Sequence, residues 1–273
     1  MLAACATTPR PEATPFTVLS WNIRYGSARD GVNAWPHRCD ELARQINLAA
    51  PQILGVQEAL DFQLTFLQQH LPDHQRLGQG RDGGDHGEHA ALFIDRRRFA
   101  VIGHGDFWLS PTPEVAGSIG WDAALTRICT WAELEDRVDG SRLFVANAHF
   151  DHRGELARAH SGELLAERLA PHGAACLVLG DFNCGENSPA LVTLRTHGWR
   201  DTFRDRQPEA TAVGTYHAFT GRMTGDKIDH VLAGDALVTV DAALLTAASA
   251  NGRWPSDHHG VLAVMRRDDG RGH

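Results

Sequence analysis

The sequence is short of the features that would place it in a membrane, on a cysteine-zinc scaffold or along a nucleic-acid duplex. No apolar run approaches the roughly 18 residues that a membrane-spanning helix needs. The five cysteines, at positions 5, 39, 129, 176 and 184, include no pair at zinc-site spacing. Positive charge is not in excess: 26 Lys and Arg stand against 34 Asp and Glu, a formal net charge of −8. That balance argues against a broad basic surface for non-specific duplex binding. It leaves a nuclease open, because a bound divalent cation supplies its own local positive charge. Internal repeats, low-complexity tracts and a linker between halves are missing as well.

What is present suits a chain with a real core. The 273 residues are 42% hydrophobic and 22% charged, ordinary values for a globular protein. Cys39 falls in a helical pattern and Cys129 and Cys176 in strand-like runs, so buried thiols are expected. Leu2-Ala3-Ala4-Cys5, followed by an Ala-, Thr- and Pro-rich stretch, resembles a bacterial lipoprotein cleavage site with its tether, without the basic and apolar segments that precede such sites. The expectation is a flexible tether over residues 1–15 with a lipid anchor at Cys5, on an exported or periplasmic protein rather than a cytoplasmic one. One folded domain over 16–267, a polar tail over 268–273 and a monomer complete that expectation.

In the first third the apolar period is helical between strands. Phe16–Ile23 reads as a strand, Pro36 opens a helix through about Ala50, Ile53–Glu58 is the next strand and Phe62–Leu71 the next helix. Gly78–Glu88 is a polar loop, expected to be exposed and mobile. The period then falls to two residues. His89–Asp95, Ala100–Leu109, Leu125–Glu135, Arg142–His149 and Ala175–Leu179 read as strands, with a helix over Gly154–Ala170 and a short one capped by Ser188. Lys227–Ala233, Leu237–Leu245 and His259–Arg266 close the chain with strands. Helices among strands too closely spaced for crossovers alone predict an α/β (α+β) fold of antiparallel or mixed sheets with helices packed outside.

The chemistry gathers at strand ends. Cys176-Leu-Val-Leu-Gly180-Asp181-Phe182-Asn183 is a buried strand that runs out into a carboxylate and a carboxamide two residues apart, facing one way. Such a pair accepts a proton or polarises a water and donates to an anion. Asn22, Gln57-Glu58, Asn147-Ala-His149-Phe-Asp151-His152 and Ser256-Asp257-His258 also sit at strand ends, and Lys227-Ile-Asp229-His230 at a strand start. Singly, each has a bland explanation as a cap, a solvated charge or a satisfied core histidine. Six together at strand termini do not.

The order W-N-I, G-V-Q-E, N-A-H-F-D-H, L-G-D-F-N, K-I-D-H and S-D-H, from Val18 to about Val264, resembles the endonuclease/exonuclease/phosphatase superfamily. The resemblance implies a four-layer α/β/β/α sandwich, two packed mixed sheets with outer helices, and an active site at one edge of the sheets. It also implies Mg2+ or Mn2+ and in-line attack of water on a phosphate ester, either a phosphodiester or a phosphomonoester, with nucleic acid among the possible substrates. On that resemblance Glu58 and Asp257 bind the metal with Asn22 in support, and His149 donates to a non-bridging phosphate oxygen. Asp181 and Asn183 orient the attacking water, and Asp229 pairs with His258 and raises its basicity. His258 or Asp181 is then the general base. Arg127, at a strand start, offers a phosphate clamp or an ordinary ion pair, and His217 and Glu88 are further substrate-side candidates; Gly120–Arg127 and Gly214–Phe219 resemble a bacterial branch of the superfamily.

Two rival readings fit the residues less well. A zinc hydrolase built on His149, Asp151 and His152 would need Asn147 in place of a further His, and Asn is a poor zinc ligand. A catalytically silent binding protein on the same fold would be favoured by loss of Glu58, Asp181, Asn183, Asp257 or His258, and all are present.

Overall fold

A computed structural model describes residues 13–268 of the chain; residues 1–12 of the expected tether, with the anchor at Cys5, and all but the first residue of the polar tail lie outside them. In chain order the elements are β1 (Phe16–Asn22), α1 (Cys39–Ala49), β2 (Ile53–Ala59), α2 (Asp61–His70), β3 (His74–Leu77), β4 (His89–Asp95), β5 (Phe99–Trp108) and β6 (Ile128–Asp136). They continue with β7 (Arg142–His149), α3 (Glu155–Leu169), β8 (Cys176–Asp181), α4 (Pro189–Thr196), β9 (Arg200–Asp201), α5 (Thr202–Arg206), β10 (Asp229–Ala233), β11 (Leu237–Leu245) and β12 (Gly260–Arg267).

The strands form two six-stranded sheets, ordered β11-β12-β1-β2-β4-β3 and β5-β6-β7-β8-β10-β9. Each is mixed: β1 runs parallel to β2 and β7 to β8, and the other pairings are antiparallel. Alternation along the strands builds the layers. Val18, Ile53 and Leu177 enter the core between the sheets, while their neighbours Leu19 and Leu54 turn to Leu42 and Ile46 of α1. Val178 turns the other way, to Leu165 of α3 and Leu191 of α4. The result is the four-layer α/β/β/α sandwich, with both faces of each sheet covered.

Several boundaries move for identifiable reasons. Pro36 opens only a 3-10 turn, Trp35–His37, and the α-helix starts at Cys39. Between them the buried Arg38 guanidinium donates to the carbonyls of Ile23, Arg24, Asn33 and Pro255, which pins its backbone outside the helix. The last strand of the second sheet begins at Asp229 rather than Lys227, because Thr215 Oγ1 takes the N–H groups of Ile228 and Asp229 at 3.0 and 3.1 Å. Gly78–Glu88 is more ordered than its composition suggests: Gly80 bridges His89, Arg81 N–H donates to Glu88 O and Asp82 N–H to His86 O, so the segment folds back as a tight hairpin. Ser188 caps α4 as expected, its hydroxyl accepting from Leu191 N–H.

Candidate active site

Strand register gathers the polar clusters at one edge of the two sheets. In the second sheet His149 stands beside Asp181 and Asp181 opposite Asp229. In the first, Asn22 stands beside Gln57, and the pairing of β2 with β4 slips between Val56 and Ala59. That bulge puts Glu58 at φ 61°, a left-handed conformation unfavourable for a residue with a Cβ, and re-aims its side chain. Asn183 carries the same signature at φ 49°. The two sheets are tied beneath the site by Gln57 Nε2 donating to Asn147 Oδ1 at 2.7 Å, while Asn147 Nδ2 donates to the carbonyls of Val56 and Ala91. Gly55 makes room for that contact: a Cβ there would meet Asn147 Cγ at 2.9 Å.

One half of the site is a proton-handling pair. His258 Nδ1 lies 2.8 Å from Asp229 Oδ2, and Nε2 of the same ring faces Asp181 Oδ2 at 4.0 Å. All three residues are buried. Burial works against a charged ring, but the Asp229 carboxylate outweighs it and holds His258 well above the usual imidazole range. Burial and then the charge of Asp229 push the Asp181 carboxyl up to about 7. Asp181 is held in place by Asn22 Nδ2, donating to Oδ2 at 2.9 Å, and by Asn183 N–H, donating to Oδ1 at 2.9 Å. His149 Nε2 lies 3.6 Å from Asp181 Oδ2 and 3.1 Å from Asn183 Nδ2; burial and the charges of Arg127 and Arg81 keep its ring neutral.

The other half is acidic. Asn22 Nδ2 also donates to Glu58 Oε1 at 3.1 Å, and Tyr25 N–H donates to Oε2 at 3.1 Å, so one carboxamide joins the two halves. Asp257 is 4% exposed, with Arg24 Nε 3.7 Å away as its cationic neighbour. Burial raises its carboxyl, and the charge of Glu58 adds to the rise. Two carboxylates that repel each other, one of them buried, fit a hard divalent ion held by one or two carboxylates. Asp181, Asp229 and His258 also offer ligand atoms within 4.8 Å of one another. There, however, Nδ1 of the histidine is engaged by Asp229, so that group is better described as a hydrogen-bonded relay than as a metal cage.

A cavity of about 620 Å³ opens above these residues. Glu58, His149, Asn183 and Arg127 line it from the sheet edges, and Arg81, Glu88 and Tyr216 from loops. Arg127 is buried: Nε approaches Asp151 Oδ2 at 3.4 Å, one amino group donates to His152 Nδ1 at 3.0 Å, and the other has no partner. Arg81 donates to Glu88 at 2.7 Å, yet burial still lifts the Glu88 carboxyl to about 7. Arg81 is not legible from sequence, since a lone Arg in a Gly-rich loop carries no pattern, whereas Tyr216 falls in the Gly214–Phe219 stretch without a role attached to it.

His217 does not line the cavity. Its ring packs on Trp254 and His259, and its backbone N–H donates to Asp257 O at 2.8 Å, so it braces the segment behind the site. The zinc set also fails on geometry: Asp151 accepts from Arg153 and Gly154 N–H on Oδ1 and from Leu125 N–H on Oδ2, and His152 Nδ1 is taken by Arg127. Behind β10, Lys227 Nζ and His230 Nδ1 both donate to Asp201 Oδ2, at 2.6 and 2.7 Å, in a fully enclosed cluster that anchors the turn leading to Asp229.

Residues 19–258 match the family model described as "Endonuclease/Exonuclease/phosphatase family". No curated protein sequence matches the chain. Among solved structures, an endonuclease/exonuclease/phosphatase family protein from Bacteroides thetaiotaomicron is 30% identical, with 94% of this chain and 100% of that chain covered and a TM-score of 0.87. A mannosyl-6-phosphatase from Bacteroides thetaiotaomicron is also 30% identical, covering 92% and 99% with a TM-score of 0.84. The human Nocturnin catalytic domain with bound sulfate, 18% identical over 93% and 94% at a TM-score of 0.74, shares the fold.

Proposed function

Since the chain belongs to the endonuclease/exonuclease/phosphatase family, whose enzymes are generally metal-dependent phosphoester hydrolases, we propose that it hydrolyses a phosphate ester by in-line attack of water, and that its substrate is a small sugar phosphate. The observation that carries this reading is the Asp229–His258–Asp181 relay, buried directly behind His149 and Asn183, which line the cavity together with Glu58.

Glu58 and Asp257 would hold the cation, with Asn22 steadying Glu58. When bound there, a divalent ion supplies positive charge to the phosphoryl group and favours ionisation of water. Between the two bases left open by the sequence, the electrostatics support Asp181. A ring held protonated by Asp229 donates from Nε2 to a phosphate oxygen but does not accept a proton. A carboxyl lifted to about 7 is partly ionised at neutral pH and is a stronger base than an ordinary aspartate. Asp181 thus takes the proton of the attacking water while His258 and Asn183 hold the phosphate. The new P–O bond forms on the side of Asp181 as the ester P–O bond breaks, and the leaving oxygen takes a proton from solvent in the cavity to depart as the alcohol.

The sugar assignment rests on the cavity wall and the 30%-identical mannosyl-6-phosphatase. Arg81, Glu88, His152 and Tyr216 present donors and acceptors of both signs, which suits hydroxyl groups better than a polyanionic strand. The protein purified in Mg2+ or Mn2+ is expected to release phosphate from mannose 6-phosphate or another hexose phosphate faster than it cleaves plasmid DNA or bis-p-nitrophenyl phosphate. Faster cleavage of either diester would overturn the sugar-phosphate assignment. A folded protein inert toward the whole panel would favour the silent binding protein.

A further inference from the structure

Away from the proton relay and the Glu58–Asp257 pair, a second group of metal-ligating side chains lies where α2 begins. A carboxylate oxygen of Asp61, one of Asp85 and a ring nitrogen of His89 all fall within 4.8 Å of one another. Acidic groups near a surface would mean little alone, but His89 is 1% exposed and only half satisfied. Its Nδ1 lies 3.1 Å from Ala59 O, which places the proton on that nitrogen. Nε2 is left as a bare lone pair, buried and with no partner. A histidine with one nitrogen donating to a backbone carbonyl and the other bare, grouped with two carboxylates, has the arrangement of a metal ligand. Burial, followed by the charge of Arg76, keeps the ring neutral, the form that binds a metal.

We propose that His89, Asp61 and Asp85 form a second divalent-metal site, for a borderline ion such as Zn2+ or Mn2+, that clasps the 78–88 hairpin to the start of α2. Imidazole selects against Mg2+ and Ca2+, which prefer all-oxygen sets. Arg76 occupies Asp61 Oδ1 at 2.6 Å and leaves the other oxygen for the ion. Asp85 is exposed and lies at the hairpin turn, so its side chain rotates inward without disturbing the core. The clasp has a functional position: Asp61 follows Glu58 by one turn of chain, and the hairpin carries Arg81 and Glu88 into the cavity wall.

The test separates this site from the one at Glu58 and does not depend on activity. Metal-free Glu58→Gln protein is titrated with ZnCl2 and MnCl2 at pH 7 by calorimetry, with the thermal midpoint and the trypsin sensitivity of the Arg81 bond followed in parallel. One ion per chain is expected to bind, raising the midpoint and protecting Arg81. Adding Asp85→Asn should weaken that binding at least tenfold and remove both effects. Asp85 is exposed, so this variant folds even where His89→Gln does not. Absence of binding in Glu58→Gln, or binding unchanged by both Asp85→Asn and Asp61→Asn, overturns the proposal.

Discussion

Replacing Asp201 with Asn tests how firmly the scaffold beneath the relay is held. Among the described residues the carboxylate is the sole anion bonded to two buried partners, Lys227 Nζ at 2.6 Å and His230 Nδ1 at 2.7 Å. Burial opposes its charge, but Lys227 and then His230 more than compensate and hold it well below the usual carboxylate range. Removing the charge leaves a fully enclosed ammonium without a counter-ion, a loss of about 3–5 kcal/mol. With a urea slope of about 3 kcal/mol/M, the unfolding midpoint should fall by roughly 1–1.7 M at pH 7. The sign with pH follows from the depressed folded value. The Asp201 contribution is complete above its unfolded value of about 3.9 and fades as pH falls through that value toward the folded one, so the gap between wild type and variant should narrow below about pH 4. Turnover should fall too, because Ile228 and Asp229 hang from the same turn. A midpoint shift under 0.3 M (about 1 kcal/mol by the same slope) would refute the idea that this cluster stabilises the turn.

Two further perturbations probe the site itself. Gly55→Ala should destabilise by about 1–3 kcal/mol in denaturant titrations and lower turnover, since its Cβ would press on Asn147 and part the Gln57–Asn147 tie between the sheets. Glu58→Gln should weaken Mg2+ binding at the catalytic site at least tenfold by calorimetry, while far-ultraviolet circular dichroism stays unchanged; unaltered affinity would remove Glu58 from the ligand set.

Much of this architecture is readable from residue pattern, and the reasons are local. The switch of period from 3.6 to 2 after Gly78, and the placement of Asn22, Glu58, His149 and Asp181 where apolar runs stop, depend only on neighbours in sequence. Register does not. Nothing local puts Asp229 opposite Asp181, or tells that His217 turns inward on Trp254 while Tyr216 beside it lines the cavity. The burial of Lys227 and Arg38 is equally hidden, since a cation in sequence looks solvated until its partners, here Asp201 and four backbone carbonyls, arrive from distant segments. The hairpin at 78–88 looks mobile by composition because its order comes from cross-strand N–H bonds that any residue makes.

Whether Asp181 removes the proton from water while His258 stays charged is decided by the initial rate of hexose phosphate hydrolysis, in saturating Mg2+ at pH 7, for Asp181→Asn beside the wild type. A loss of about 10²–10⁴-fold with the fold intact is expected. A rate within tenfold of wild type would contradict it and return the base to His258.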